Sequence, residues 1–72
     1  MTKYMRNGML LGELSGINAI GHDGRLIGHY DIYSDRTFAY NGREYCNGDA
    51  RVALICEYFD RAYPERANEL FP

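Results

Sequence analysis

The sequence predicts an α+β fold: an antiparallel three- to four-stranded sheet of hairpins, one C-terminal α-helix packed on one face, and a short terminal helical turn. The first supporting observation is that Asn-Gly or Asp-Gly pairs recur at 7–8, 23–24, 41–42 and 47–48. Such pairs favour tight hairpin turns, because both central residues of a type I′ turn need a positive φ. The second observation is a stripe of apolar residues at helical spacing after position 49.

Length predicts one small domain. A chain of 72 residues buries only about 60% of its unfolded surface, so its folded state is marginal unless a partner, a metal or a disulfide adds to it. Along the chain we expect a possible N-terminal hairpin or arm over 1–14, the sheet over 17–46, the main helix over 49–63 and a short helical turn over 64–71.

Charge and cysteine content narrow the class of protein. Ten acids against eight bases give a net charge of −2, whereas nucleic-acid binders are usually basic, so nucleic acid is not expected as the main partner. No signal-peptide h-region or membrane-spanning run is present. Two cysteines are too few for a secreted disulfide scaffold. We therefore expect a cytoplasmic protein with free thiols, no membrane partner and no cofactor.

Turn length fixes the two faces of the predicted sheet. Two-residue turns at 23–24 and 41–42 set, for example, Ile20 opposite Ile27. A three-residue loop at 34–36 then gathers the aromatic residues on one inner face, which the helix covers. The residues expected on this inner face are Ile17, Ala19, Gly21, Leu26, Gly28, Tyr30, Ile32, Phe38, Tyr40 and Tyr45. Those expected on the outer face are Asn18, Ile20, His22, Arg25, Ile27, His29, Asp31, Tyr33, Thr37, Ala39, Glu44 and Cys46.

The helix has recognisable ends and one apolar side. Asp49 or Asn47 can cap its first turn, and Pro64 ends it. Glu57 and Arg61 are spaced for an ion pair on its outside. The stripe expected to face the sheet consists of Val52, Ile55, Cys56, Phe59 and Ala62.

No motif in the sequence indicates catalysis or a metal site. Two Ile-Gly-His tripeptides put His22 and His29 on neighbouring strands, but about 13 Å apart on the expected register. One metal ion needs ligand atoms about 2 Å away, so the two rings cannot share one within a chain. No Gly-rich phosphate-binding pattern opens a helix. We expect the protein not to be an enzyme.

The outer face is the surface available for binding. The Ile20/Ile27 pair and Tyr33 form an apolar patch, and such patches rimmed by polar groups often mark binding sites. Three alternatives remain open at this point: the N-terminal segment covers the patch, a partner or a second copy covers it, or it stays exposed. The residues predicted to bind a partner are Ile20, Ile27, His29, Asp31, Tyr33, Glu44, Glu57 and Asp60.

Two resemblances suggest functions. A three-stranded sheet followed by a helix, carried by GHYDIYSDRTFAYNGREYCNGDARVALICEYF (residues 28–59), resembles the arm-binding domain of phage integrases and the plant Apetala-type DNA-binding domain. That resemblance implies DNA contact through the sheet face, which here carries Arg25, His29, Asp31, Tyr33, Thr37 and Glu44. In size and acidity, the chain resembles small phage-encoded inhibitors such as anti-CRISPR proteins and host-polymerase inhibitors.

The expected function is protein–protein interaction without catalysis. We predict a small inhibitor of phage or mobile-element type that blocks the surface of a host or foreign protein, one candidate being a complex that binds nucleic acid. Aromatic and apolar anchors would give affinity and carboxylates would steer association. The alternatives are a small DNA-binding or transcription-accessory domain, with Arg25, Arg36 and Arg43 on phosphates, and a homodimeric structural protein.

Overall fold

A computed structural model describes residues 2–63 of the chain. Six strands form one antiparallel sheet in the order β1-β2-β3-β4-β5-β6, and one helix follows within this range. The elements are β1 (Thr2–Arg6), β2 (Met9–Ser15), β3 (Asn18–Gly21), β4 (Leu26–Asp31), β5 (Arg36–Ala39), β6 (Glu44–Asn47) and α1 (Arg51–Ala62). The α+β class is confirmed, with more strands than the three or four expected. The helical turn expected over 64–71 lies outside the described residues.

The N-terminal hairpin has the turn that its sequence predicts. Asn7 and Gly8 have φ values of 51° and 77°, and two consecutive positive values are the mark of a type I′ turn. β1 pairs with β2, and β2 pairs with β3. The N-terminal segment therefore widens the sheet at its edge, and the alternative in which it folds over the outer face is wrong.

The turn between β3 and β4 is one residue longer than predicted. Gly24 donates its N–H to the carbonyl of Gly21 at 3.0 Å, and Gly21 donates to the carbonyl of Arg25 at 2.8 Å. Gly24 has a φ of 84°, whereas Asp23 is not among the residues with positive φ. The loop is therefore a three-residue turn that ends on a left-handed glycine, and Gly21 rather than His22 lies opposite Arg25.

The turn between β5 and β6 repeats this geometry. Gly42 donates its N–H to the carbonyl of Ala39 at 2.9 Å, and Ala39 donates to the carbonyl of Arg43 at 2.9 Å. Gly42 has a φ of 83°. In both turns the Asx side chain accepts the N–H of the following arginine, as Asn41 does from Arg43 at 3.0 Å. The two hairpins thus use the same device.

Three of the five strand pairs contain a β-bulge, and each bulge changes the direction of one apolar side chain. The pairing skips Leu11, Ile27 and Tyr45 where the register shifts, and a bulge lets a strand turn a side chain to a new direction. All three side chains lie in or against the hydrophobic core. Ile27 is only 4% exposed, and Ile20 pairs with Leu26 instead. The predicted exposed pair of Ile20 and Ile27 is therefore wrong.

The loop between β4 and β5 reverses the predicted facing of Phe38. It spans four residues, 32–35, instead of three. Phe38 consequently pairs with His29 and stacks on it, with ring centroids 5.5 Å apart. Tyr30 packs under the guanidinium of Arg51 at the start of α1, at 5.8 Å. The prediction that Phe38 and Tyr30 share the face under the helix is wrong, because the added residue flips the strand.

The sheet thus has a helix face, on which α1 contacts β2, β3 and β4, and an open face on which no element of residues 2–63 lies. The predictions for Ala19, Gly21, Gly28, Tyr30 and Tyr45 on the helix face are correct. Residues predicted on the outer face that lie on the helix side are His22, Ile27, Thr37, Ala39 and Cys46. Residues predicted to be inside that are exposed are Ile17, Leu26, Ile32 and Tyr40.

The predicted helix is present, but its buried stripe is rotated. Leu54, Ile55 and Phe59 are buried, whereas Val52 and Ala62, which were expected to face the sheet, are exposed. The rotation follows from glycines on the sheet. A Cβ at Gly28 would lie 2.5 Å from Cδ2 of Leu54. The side chain of Leu54 therefore occupies the space that a larger residue at position 28 would need. The expectation that small residues on this face admit bulky helix residues is confirmed.

The first turn of α1 is held by side chains from β5 and from the residue before the N-cap. Ala50 is the N-cap residue and makes no side-chain cap bond itself, whereas Oδ1 of Asp49 accepts the N–H of Arg51, the first residue of α1, at 3.3 Å, as predicted. The Oγ1 of Thr37, fully buried, accepts the N–H of Ala50 at 2.8 Å and donates to the carbonyl of Gly48 at 2.7 Å. The hydroxyl of Thr37 thus satisfies two backbone groups where the chain turns from β6 into α1.

Candidate functional site

Three large apolar side chains meet at one end of the sheet. Ile17 lies in the β2–β3 turn, and Ile32 and Tyr33 lie in the β4–β5 loop. They are 53%, 65% and 94% exposed, and we call them the loop patch. Together with His29, Tyr30 and Asp31 they line a concavity of about 260 Å³. Clustered exposure of this kind differs from the scattered exposed apolar residues of ordinary surfaces.

The carboxylate of Asp31 fixes the loop that carries the patch. Its Oδ1 accepts the N–H of Tyr33 at 3.0 Å, and its Oδ2 accepts the hydroxyl of Ser34 at 3.0 Å. The bond from the Tyr33 backbone, and then that from Ser34, hold the pKa of Asp31 below its ordinary value. The ionised carboxylate therefore forms an Asx turn that presents the Tyr33 side chain to solvent.

Asp35 holds the loop from its other side. The hydroxyl of Tyr30 donates to the carboxylate of Asp35 at 2.5 Å, and Gly48 donates its N–H to the carbonyl of Asp35 at 2.7 Å. The bond to this carboxylate raises the pKa of Tyr30. Asp35 itself has a φ of 53°. With both ends of the loop bonded, little conformational entropy is left to lose when Tyr33 contacts a partner.

Arg51 connects the start of α1 to the turn that carries Ile17. Its Nε and Nη2 donate to the carboxylate of Asp49 at 2.8 and 2.7 Å, and its Nη1 donates to the carbonyl of Gly16 at 2.9 Å. The guanidinium holds the pKa of Asp49 below its usual range. The same group lies over the ring of Tyr30. The patch is therefore supported by the helix as well as by the sheet.

The open face adjoins the patch through a stacked pair. His29 lies parallel to Phe38, with 21° between the ring planes, and the next residue across the sheet from Phe38 is Glu44. Glu44 accepts a bond from Arg36 at 2.5 Å. Ile20 and Asn18 lie further along the same face. The open face is thus a mixed surface, with its charges paired at one edge and rings at its centre.

The predicted binding residues occupy three places. Asp31 and Tyr33 belong to the loop patch region, Ile20, His29 and Glu44 to the open face, and Ile27 to the core. Glu57 and Asp60 lie on α1, and the predicted pair of Glu57 with Arg61 is present at 2.6 Å. The Oδ1 of Asp60 is buried and receives no hydrogen bond from a described residue.

Sequence analysis missed two members of the loop patch. Ile32 was assigned to the core because the β4–β5 loop was given three residues. Ile17 was assigned there because it was expected opposite Tyr30; that pairing is present, but Ile17 lies in a turn and is 53% exposed. The sequence contains a contrary indication: Asp31 and Ser34 are spaced so that both can bond within a four-residue loop. That pattern predicts that Ile32 and Tyr33 both lie in the turn and face solvent.

The histidines and cysteines do not converge. His22 packs against Tyr58 and Phe59 on the helix side, whereas His29 lies on the open face, so the prediction that both point to one face is wrong. Cys46 and Cys56 are free and half-buried. Within residues 2–63, no group of three His, Cys, Asp or Glu side chains is placed to hold a metal ion. None of the helical structure in that range is long and apolar enough to cross a membrane.

The arginines suggested for phosphate contact lie apart. Arg36 is on the open face and bonded to Glu44. Arg25 is in the β3–β4 turn beside Asp23, at 3.6 Å. Arg43 is in the β5–β6 turn and lines a groove on the helix side. These three side chains do not form one basic surface.

Neither a family model, nor a curated protein, nor a solved structure matches this chain. The class is therefore defined by its own architecture: a small α+β protein with one face of its sheet open and a supported apolar loop at one end.

Proposed function

We propose that this protein is a binding module without catalytic function, which docks the loop patch into another protein and blocks the surface that it covers. The observation that carries the proposal is the convergence of Ile17, Ile32 and Tyr33, all more than half exposed, on one concavity. Interfaces gain most of their affinity from a few such anchors, and tyrosine is enriched among them.

The support of the loop strengthens this proposal. Asp31 and Asp35 bond both ends of the segment that presents Tyr33. A rigid aromatic anchor loses little entropy on binding, so more of its burial becomes affinity.

The chemistry of the patch indicates the chemistry of its partner. The centre is apolar, while the ionised Asp31 stands at its rim. A matching protein surface has an apolar depression that accepts the Tyr33 ring and a lysine or arginine beside it. The net charge of −2 favours encounter with a basic surface, including the nucleic-acid groove of another protein, because such charges steer association.

The test is a comparison of two exposed side chains. Wild type, Tyr33→Ala and Met5→Ala are immobilised, captured proteins are identified, and the affinity of the purified partner is measured for each form. Met5 is the control because it is also a large exposed apolar residue, at 56%, but lies on β1, outside the loop patch. We expect Tyr33→Ala to weaken binding by about tenfold or more and Met5→Ala to leave it unchanged.

Several outcomes contradict the proposal. They are capture that does not depend on Tyr33, loss of capture in Met5→Ala alone, and the absence of any specific partner. A concentration-dependent dimer that Tyr33→Ala dissociates, measured by sedimentation, assigns the patch to a second copy of the chain instead. Duplex DNA binding with a steep salt dependence supports the DNA-binding alternative, because phosphate contacts release counterions.

A further inference from the structure

A second concavity lies on the helix side, at the other end of the sheet. α1 packs on β2, β3 and β4 and leaves a groove of about 310 Å³ between itself and the β5–β6 turn. The floor of the groove is apolar, and its walls carry tyrosine hydroxyls and arginines. The floor residues are Ile27, Ala39 and Leu54, and the wall residues are Tyr40, Asn41, Arg43, Tyr45, Glu57, Tyr58 and Arg61.

The first acid of this region is fully engaged. Glu57 accepts the hydroxyl of Tyr45 on Oε2 at 2.7 Å and the guanidinium of Arg61 on Oε1 at 2.6 Å. Both carboxylate oxygens therefore have donors, and the charge of Glu57 is balanced by that of Arg61. The hydrogen bond from Tyr45 to Glu57 raises the pKa of the Tyr45 hydroxyl to about 12. This hydroxyl therefore remains a hydrogen-bond donor at neutral pH.

The second acid is engaged in the same way. Asp23 accepts the hydroxyl of Tyr58 at 2.7 Å and lies 3.6 Å from Nε of Arg25. Arg25 borders the groove next to Tyr40. Glu57 on the wall of the groove, and Asp23 behind the groove residue Tyr58, thus each have one tyrosine and one arginine as partners. Neither carboxylate opposes an incoming anion with its full charge.

Arg43 is an arginine of the groove that makes no ion pair with the described residues. Its backbone N–H bonds to Asn41, but no carboxylate among the described residues lies within ion-pair distance of its guanidinium. Among the residues that line the groove, two arginines, Arg43 and Arg61, against one carboxylate, Glu57, leave one positive charge, in a protein whose net charge is −2. This positive charge stands at the edge of an apolar floor.

We propose that this groove binds one carboxylate joined to a compact apolar group, such as the carboxyl-terminal aliphatic residue of a peptide. Arg43 receives the carboxylate, and the apolar group lies on Ile27 and Leu54 beside the ring of Tyr40. The single unpaired positive charge of Arg43 can balance one negative charge, so the expected ligand is a monoanion. A nucleic-acid strand presents successive phosphates, of which this groove could balance only one. The site is independent of the loop patch and of the function proposed for it.

The test uses N-acetyl-leucine and its amide, which differ only in the charge of the carboxyl group. Each is titrated into the full-length, isotope-labelled protein while the backbone amide shifts are followed by NMR. We expect saturable shifts at Ile27, Tyr40, Arg43 and Leu54 with a Kd of about 1 mM for the acid, as suits so small a ligand. The amide is expected to bind about fivefold more weakly, since a partly exposed charge pair is lost.

A matched arginine pair identifies the recognition group. Arg43→Gln is expected to reduce affinity for the acid to that for the amide. Arg36→Gln, altered on the open face where Arg36 pairs with Glu44, is expected to leave both affinities unchanged. The proposal is overturned if neither compound shifts the groove residues at about 10 mM, if acid and amide bind equally, or if Arg43→Gln has no effect. It is also overturned if an oligothymidylate, but not N-acetyl-leucine, shifts these residues.

Discussion

The helix face and the open face of this sheet are built in opposite ways. On the helix face, glycines leave space that α1 occupies, and bulges direct additional apolar side chains towards the core. A Cβ at Gly12 would lie 2.5 Å from the carbonyl oxygen of Ile20 and 2.6 Å from Cγ2 of Ile55. On the open face, side chains such as Phe38 and His29 simply stack on one another. The difference indicates that stability is concentrated on one face, which leaves the other side and the loop patch free to tolerate change.

The largest expected loss of stability therefore comes from adding a single methyl group on the helix face. Gly28→Ala places a Cβ against the carbonyl oxygen of Phe38 and Cδ2 of Leu54, and relief requires backbone movement. We expect a loss of about 3 kcal/mol in the free energy of unfolding, the upper part of the range for overpacking. Urea unfolding followed by circular dichroism measures it.

Gly16→Ala is the control for this substitution. A Cβ there meets nothing within 4 Å, but the residue has a φ of +60°. Its cost is only that of a left-handed alanine, about 1 kcal/mol. If both variants lose the same free energy, close packing of α1 on glycine does not distinguish the helix face.

A somewhat smaller effect is expected where β5 holds the start of α1. Thr37→Val keeps the shape of the buried side chain but leaves the N–H of Ala50 and the carbonyl of Gly48 without the hydroxyl that pairs with both. We expect a loss of about 2 kcal/mol. Thr37→Ser keeps the hydroxyl, removes one methyl group and is expected to lose about 1 kcal/mol. A valine variant as stable as wild type contradicts this role for Thr37.

A large aromatic residue on the open face is expected to matter less. Phe38→Ala removes a half-buried ring and its stacking on His29, so we expect a loss of about 1 kcal/mol. A buried phenylalanine such as Phe59, 2% exposed, would lose about 3–5 kcal/mol on the same change. Equal losses at the two positions, measured by urea unfolding, indicate that another element or a second copy covers the open face.

The smallest effect is confined to high pH. Because Tyr45 donates to Glu57, its pKa rises from 10.0 to about 12. A raised folded-state pKa means that the bond stabilises the protein fully below pH 10.0 and that this contribution disappears as the pH rises through about 12. An ultraviolet titration of tyrosinate is expected to show this late step, Tyr45→Phe to remove it, and Glu57→Gln to move it towards 10.0. A late step that persists in Tyr45→Phe belongs to another tyrosine.

The sequence predicted some residues of the candidate site, but not which residues lie together in the loop patch. Tyr33 and Asp31 were selected correctly as surface residues, whereas Ile17 and Ile32 were placed in the core and Ile27 on the surface. The errors at Ile32 and Ile27 have one origin, since each depends on the length of a turn. Adding one residue to a loop reverses every side chain of the strand that follows, until a bulge reverses it again.

The sequence by itself determined the positions of the hairpins, the helix and the small residues beneath it, because Asx-Gly pairs, helical periodicity and glycine act through local geometry. The tertiary structure alone decided which side of each strand faces the helix. An Asx-Gly pair is compatible with both a two-residue and a three-residue turn, as Asn7-Gly8 and Asp23-Gly24 demonstrate. Packing of Leu54 and Ile55 against distant glycines selects between them, and that contact exists only when the whole sheet is assembled.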